Sequence, residues 1–380
     1  MASAKSPAGN VANLQISGGA AIIAPASAFP RGLPSNAMVV LPMKEPKKEL
    51  LDKLENGALA VTPDQMWDLL GFNGAPVQVT DQEGRPLTIG VNDLLDGLEK
   101  HWNENPSDMS RGRIFASELM RHGKPERAEK VLAKIVAKGG EGEDWLGLGV
   151  AQLAAGNLDK AEGTLKGAQN LMPDSPFPSL NLAKVLHRKE QTDEAKTMVE
   201  KAVAIDSDCV DAWVFLFNMV NEQESEDAAI KAVEGLADAS THKDSAAPYI
   251  ALQGVFAADE KTRPRALEFA KKAVDRDSDN ALALIALSSL YGQNGDLQAI
   301  VSLLQPHENA MLRDVRLANN YFEALLGARE MDKLTKLLNA LAGSPVKEVK
   351  QFAIERSRAV AQMLQQQQRH AQAAARKAST

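Results

Sequence analysis

Ala161, Ala195 and Ala229 stand 34 residues apart, and each closes a phrase that opens on an aspartate: Asp159-Lys160-Ala161, Asp193-Glu194-Ala195 and Asp227-Ala228-Ala229. No other feature of the chain constrains its fold as tightly. One such period is long enough for two helices but too short to bury a core of its own, so the unit is a helical hairpin that becomes stable by stacking on its neighbours. The anchor recurs upstream at Ala128. Downstream it recurs at Ala266, after a slip of three residues assigned to the polar stretch 239–244, and again at Ala299. Asp332-Lys333-Leu334 reads as a degenerate last copy. Two end turns also match: Asp206-Ser207-Asp208 follows Lys201-Ala202-Val203 just as Asp277-Ser278-Asp279 follows Lys272-Ala273-Val274.

The strongest copy, 142–175, holds Trp145, Leu148-Gly149, Ala161, Leu165, Ala168 and Pro173. This pattern resembles the tetratricopeptide repeat family, in which Trp-x2-Leu-Gly is followed by Ala-x3-Phe and a closing Pro; here Leu165 replaces the aromatic and Gln152 stands where Tyr is common. Small residues at Gly149 and Ala161 let two antiparallel helices cross closely, and Pro173 ends the second helix. The expected fold is all-α: an α-solenoid of about seven helical hairpins over 108–343, with a small α+β cap in front and a capping helix behind.

The flanks read as follows. Residues 1–46, rich in Ala, Ser, Gly and Pro, form a flexible leader. Residues 47–107 form the α+β unit: a helix over 47–54, a second over 63–70 capped by Thr62, a β-hairpin of 77–80 with 87–89, and an amphipathic helix from Val91 to Trp102 carrying Leu94, Leu95 and Leu98. Trp67 and Phe72 are its core. Residues 344–366 form the capping helix, with Val346, Val349, Ala353, Val360 and Leu364 on one face. Residues 367–380 form a disordered basic tail.

The chain carries a net charge of −7, unevenly spread. Residues 1–49 hold five basic and two acidic side chains and residues 344–380 hold seven and two, which leaves −15 on the stretch between. An acidic body of this kind argues against nonspecific nucleic-acid binding. The single cysteine, Cys209, forms no intramolecular disulfide and reads as a structural thiol. No run of 18 apolar residues is present, so no span of a membrane is expected. The short apolar run 20–28 is broken by Pro25 and is not a clear targeting signal. The cytoplasm is the default compartment, and secretion or the periplasm the alternative.

No phosphate loop, dinucleotide turn, nucleophile elbow or His-Glu-x-x-His occurs, and no two of the six histidines stand one helical turn apart. The chain therefore reads as no enzyme, with no cofactor and no metal. The resemblance implies instead that the first helix of each hairpin lines a concave face. At one-turn steps that face takes Arg113 in the first copy, Leu146 and Val150 in the strong copy, and Phe177, Leu180, Lys184, His187 and Arg188 in the next. Val214, Asn218 and Asn221 follow in the copy after that. Asn amides can pair with a peptide backbone and Lys184 with a carboxylate. The family's full carboxylate clamp is absent, because Leu146 and Val150 occupy the groove of the strong copy. The expected partner is another protein, offering a segment with acidic and apolar residues. The alternatives are a self-associating assembly protein and, third, an RNA-associated helical-repeat factor.

Overall fold

The computed structural model describes residues 91–378 together with seven short strands before them. The chain divides into two compact units, 1–173 and 174–380.

In the first unit the strands are β1 (Ala12–Asn13), β2 (Gln15–Ser17), β3 (Ala21–Pro25), β4 (Met38–Pro42), β5 (Ala60–Val61), β6 (Val77–Thr80) and β7 (Pro86–Ile89). β1 pairs with β5, and β2-β3-β4-β6-β7 form one antiparallel sheet. The hairpin read from alternation is present as β6–β7, with Val77 opposite Ile89 and Thr80 opposite Pro86. β4 pairs with β6 through Val40 and Thr80, so the sheet runs across the leader boundary drawn at residue 46. The helices expected over 47–54 and 63–70, with Thr62, Trp67 and Phe72, lie outside the described residues.

The helices of this unit are α1 (Val91–Glu104), α2 (Met109–Arg121), α3 (Pro125–Ala137), α4 (Gly142–Ala154) and α5 (Leu158–Leu171). α2/α3 and α4/α5 are helical hairpins, and α1 packs on α2 through buried Leu95, Leu98 and Trp102. The second unit continues with α6 (Pro176–Arg188), α7 (Thr192–Ile205), α8 (Val210–Gln223), α9 (Glu226–Ala239), α10 (Ala247–Ala257) and α11 (Arg263–Arg276). It ends with α12 (Ala281–Gln293), α13 (Leu297–Leu304), the one-turn α14 (Glu308–Met311), α15 (Val315–Gly327), α16 (Met331–Ala342) and α17 (Lys347–Ala378). Its hairpins are α6/α7, α8/α9, α10/α11, α12/α13 and α15/α16. The three-residue slip falls between α9 and α10, as the polar stretch indicates.

Hairpin packing follows one rule. The fourth residue of each second helix sits at the crossing with the first, and it is Ala128, Ala161, Ala195, Ala229 and Ala266, each fully buried. At these five crossings the buried position holds only a methyl, which lets the two helices approach closely. The same position in α13 is Ile300, 4% exposed, and in α16 Leu334, 1% exposed. The expectation of Ala299 as the sixth anchor is therefore off by one: Ala299 is half-buried, its amide donating to the capping Asp296 carboxylate at 2.9 Å, and the anchor is Ile300, 34 residues after Ala266 as α13 starts 34 residues after α11.

The turn within five of the hairpins repeats atom for atom. A residue in the left-handed region closes the first helix: Gly123, Gly156, Glu190, Gly295 and Arg329, with φ between 61° and 80°. The amide after it reaches back to the carbonyl five residues earlier: Lys124 to Leu119, Asn157 to Gln152, Gln191 to Leu186, Asp296 to Tyr291 and Glu330 to Leu325, at 2.8–2.9 Å. This is the Schellman closure, and glycine fits it without steric cost at three of the five. The matched end turns are also alike: Asp206 and Asp277 each accept the amide two residues on, at 2.9 and 3.2 Å.

In the second unit, first helices pack on first helices: α6 on α8, α8 on α10, α10 on α12 and α12 on α15. They make one layer, and the second helices lie behind it. A charge ladder also joins second helices α9 and α11. Arg265 pairs with Glu226 and Asp227, Lys272 with Glu234 at 3.0 Å and Arg276 with Asp238 at 2.6 Å. The same cations lie over the rings of Phe256, Tyr249 and Phe269.

α17 packs on α16 and α15 through Val349 and Ala353, then runs on to Ala378, past the boundary at residue 366 where a disordered tail was expected. No Gly or Pro occurs between Val346 and Ala378, and Ala, Gln, Arg and Lys dominate its last turns, so nothing in the sequence stops the helix.

Candidate interaction surface

The face of the first-helix layer that carries no second helix is where the sequence places the binding residues. In α6, residues 177, 181, 184 and 188 follow one another at 4, 3 and 4 residues and so share a face. Phe177 is 47% exposed on it, an unusual setting for an aromatic ring. Lys184 is half-buried and its ammonium forms no ion pair among the described residues. Arg188 is exposed at the end of the same row. In α8 the matching row is Asp211, Val214, Asn218 and Asn221. Val214 is half-buried, while Asn218 and Asn221 are exposed and their amides make no hydrogen bond among the described residues.

Two of the expected residues of α6 have other roles. Leu180 is 1% exposed and belongs to the core between α6 and its neighbours, so it meets no ligand. Its place in the row is filled by Asn181, half-buried, whose amide donates to the Phe177 carbonyl at 2.9 Å. His187 ties two hairpins together: its Nε2 lies 3.1 Å from a Glu222 carboxylate oxygen, its ring meets Phe215 edge-on at 5.8 Å, and its Nδ1 is buried without a partner.

One residue that sequence reasoning missed is Leu282 on α12, 46% exposed. It is the second residue of its helix, as Phe177 is of α6. The expected surface stopped at the copy holding Asn221, two hairpins earlier.

In the first unit, Leu146 and Val150 are half-buried on α4 and Ile114 is 40% exposed on α2. Arg113 is exposed, but its guanidinium is committed. It grips Asp144 through two bonds of 2.8 Å, from Nε and Nη2, and so fastens α2 to α4. Asp144 is 3% exposed and also accepts the Glu141 amide at 2.9 Å, closing the capping box of α4.

The Arg113 guanidinium holds the Asp144 carboxyl below the usual carboxylate range, with help from the Glu141 amide and against the opposing effect of burial. A folded pKa below the unfolded value of about 3.9 contributes stability that is full above that pH and is lost as the pH falls through the folded value. Arg113→Met is therefore expected to destabilise the chain at neutral pH, by a margin that narrows below about pH 4 as Asp144 takes its proton in both proteins. Urea melts across the acid limb measure this, and a margin constant down to low pH would remove the pair from the account.

Among the described residues no helix is long and apolar enough to cross a membrane, and no group of three or more His, Cys, Asp or Glu side chains is placed to hold a metal ion.

A tetratricopeptide repeat family model matches residues 115–176. No curated protein sequence matches the chain significantly. Among solved structures, MamA is similar at 19% identity over 39% of this chain and 87% of its own, with a TM-score of 0.34. YrrB, described as a TPR protein with an unusual peptide-binding site, is similar at 21% identity over 50% of this chain and 98% of its own, with a TM-score of 0.30. For yeast Tom70 the identity is 16%, over 68% of this chain and 61% of the yeast protein, with a TM-score of 0.32.

Proposed function

We propose, from the premise that this chain is a tetratricopeptide-repeat protein, that it is a non-catalytic scaffold which binds a segment of a partner protein on the exposed face of its first helices. One observation carries the reading. Three uncommitted polar groups, Lys184, Asn218 and Asn221, share that face with an exposed aromatic ring, Phe177. Arg113 and His187 are held by partners within the fold; these three side chains remain available to a ligand. Phe177 offers an apolar contact, Lys184 a counter-charge and the two amides paired donors and acceptors for a peptide backbone. A segment with one acidic and one apolar residue fits that set.

Capture from the native cell tests the reading, with wild type set against Lys184→Glu/Asn218→Ala/Asn221→Ala and bound proteins identified by mass spectrometry. The expected result is a partner lost with the triple variant while its melting temperature is unchanged, since none of the three side chains makes a hydrogen bond or ion pair among the described residues. Retention of every partner by the triple variant would move binding off this face.

A further inference from the structure

A cavity of about 270 Å³ opens beside α14 in the second unit. Its origin is an interruption of the repeat. The second helices α7, α9 and α11 run for 14 residues each, but α13 stops after eight. Pro306, two residues further on, lacks the amide and the space that another helical turn requires. The chain makes the single turn of α14 instead, and space remains between that turn, α15 and α16.

The inner wall is apolar with one polar tip. Met311 is 1% exposed, and Leu337 and Tyr321 are each 5% exposed. The Tyr321 side chain lines the cavity, and its hydroxyl makes no hydrogen bond among the described residues. The rim is cationic. Lys333 and Lys336 stand one turn apart on α16, Lys336 pairs with nothing among the described residues, and Lys333 reaches only Glu330, at 3.5 Å on the surface. Glu308 is the one carboxylate among the lining residues, against two ammonium groups, one of them already paired with Glu330 just outside the lining.

We infer that this cavity is a second binding site, for a carboxylate on a short aliphatic stem, of about the size of one amino-acid residue. The two ammonium groups and the phenol hydroxyl hold the carboxylate, and Met311 and Leu337 cover the stem. A more highly charged anion such as a phosphate would meet Glu308 and gain nothing from the apolar wall. The volume is just below the range of about 300–1,000 Å³ usual for small-molecule pockets, which limits the ligand to a group of that size. The site is separate from the first-helix face: exposed Glu323, the ninth residue of α15 as Lys184 is of α6, lies about 200° around the helix from Tyr321 at about 100° per residue. It does not rest on the scaffold reading.

The test uses the full chain labelled with carbon-13 at the methionine methyls, with the Met311 resonance assigned through Met311→Leu. The probes are N-acetyl-leucine, its carboxamide and a hexapeptide ending in a free leucine carboxylate. N-acetyl-leucine is expected to shift Met311 saturably, and the carboxamide to bind at least ~10-fold more weakly, because the charge-assisted bonds are gone. Lys333→Gln/Lys336→Gln is expected to lose a similar factor, and Tyr321→Phe a smaller one, with melting temperatures retained. Tighter binding of the hexapeptide assigns the site to a chain terminus, and weaker binding assigns it to a free small acid. No saturable shift with any probe, equal binding of acid and carboxamide, or indifference to the lysine substitutions would each overturn the proposal.

Discussion

Gly149→Val is expected to destabilise the chain by roughly 1–3 kcal/mol or more, the cost of forcing atoms into a well-packed core. Gly149 lies on α4 where it crosses α5. A Cβ there would stand 2.5 Å from Leu165 Cγ and 2.6 Å from its Cδ2. Leu165 is fully buried, and the nearer atom is its branch point, which cannot swing aside as a chain end can. A glycine inside a helix costs about 1 kcal/mol relative to alanine, so the close approach must outweigh that loss for glycine to serve here. Gly163 and Gly235 supply the control. They sit in α5 and α9 with nothing within 4 Å of an added Cβ, and alanine at either is expected to stabilise by roughly 0.5–1 kcal/mol. Thermal or urea melts read both signs. A Gly149→Val protein as stable as wild type would mean that the α4/α5 crossing is looser than described.

The second large effect is at Trp213. Trp213→Ala is expected to cost roughly 3–5 kcal/mol, the range for removing a buried aromatic. The indole is 1% exposed, and its N–H donates to the Ser207 carbonyl at 2.9 Å. That carbonyl also accepts from Ser245 Oγ at 3.0 Å, so the substitution does not orphan it, and the loss is one of packing. Trp145 occupies the same place in the repeat pattern but is half-buried, its ring lying against Gly167. Trp145→Ala should therefore cost distinctly less. Equal costs in denaturant melts would show that burial in the folded chain does not set the ranking.

The repeat was legible because five of its anchors are alanines at a nearly fixed spacing: Ala128, Ala161, Ala195, Ala229 and Ala266 are where the spacing put them. The register failed at Ala299, where the anchor is Ile300. A β-branched side chain at a crossing does not advertise itself as an anchor. The turn rule was half visible. Gly123, Gly156 and Gly295 mark the left-handed position, but Glu190 and Arg329 hold the same φ with nothing in their side chains to announce it.

The surface residues were read from helical period, which gives the side of a helix but not the depth of burial or the identity of a partner. Leu180 lies on the correct helix yet faces inward, and His187 and Arg113 are spent on Glu222 and Asp144. Those bonds join residues 35 and 31 apart in sequence, and no local pattern foretells them. The cavity at Tyr321 could have been suspected from Pro306, which falls where other copies still have helix.

The partner segment is expected to meet the first helices and not the second. A photocrosslinking amino acid placed at Asn218 on α8, and in a separate protein at exposed Lys196 on α7, puts that to the test in the native cell. Position 218 is expected to give a covalent adduct with a partner protein, and position 196 none. Adducts from 196 with none from 218 would contradict the account and assign recognition to the second helices.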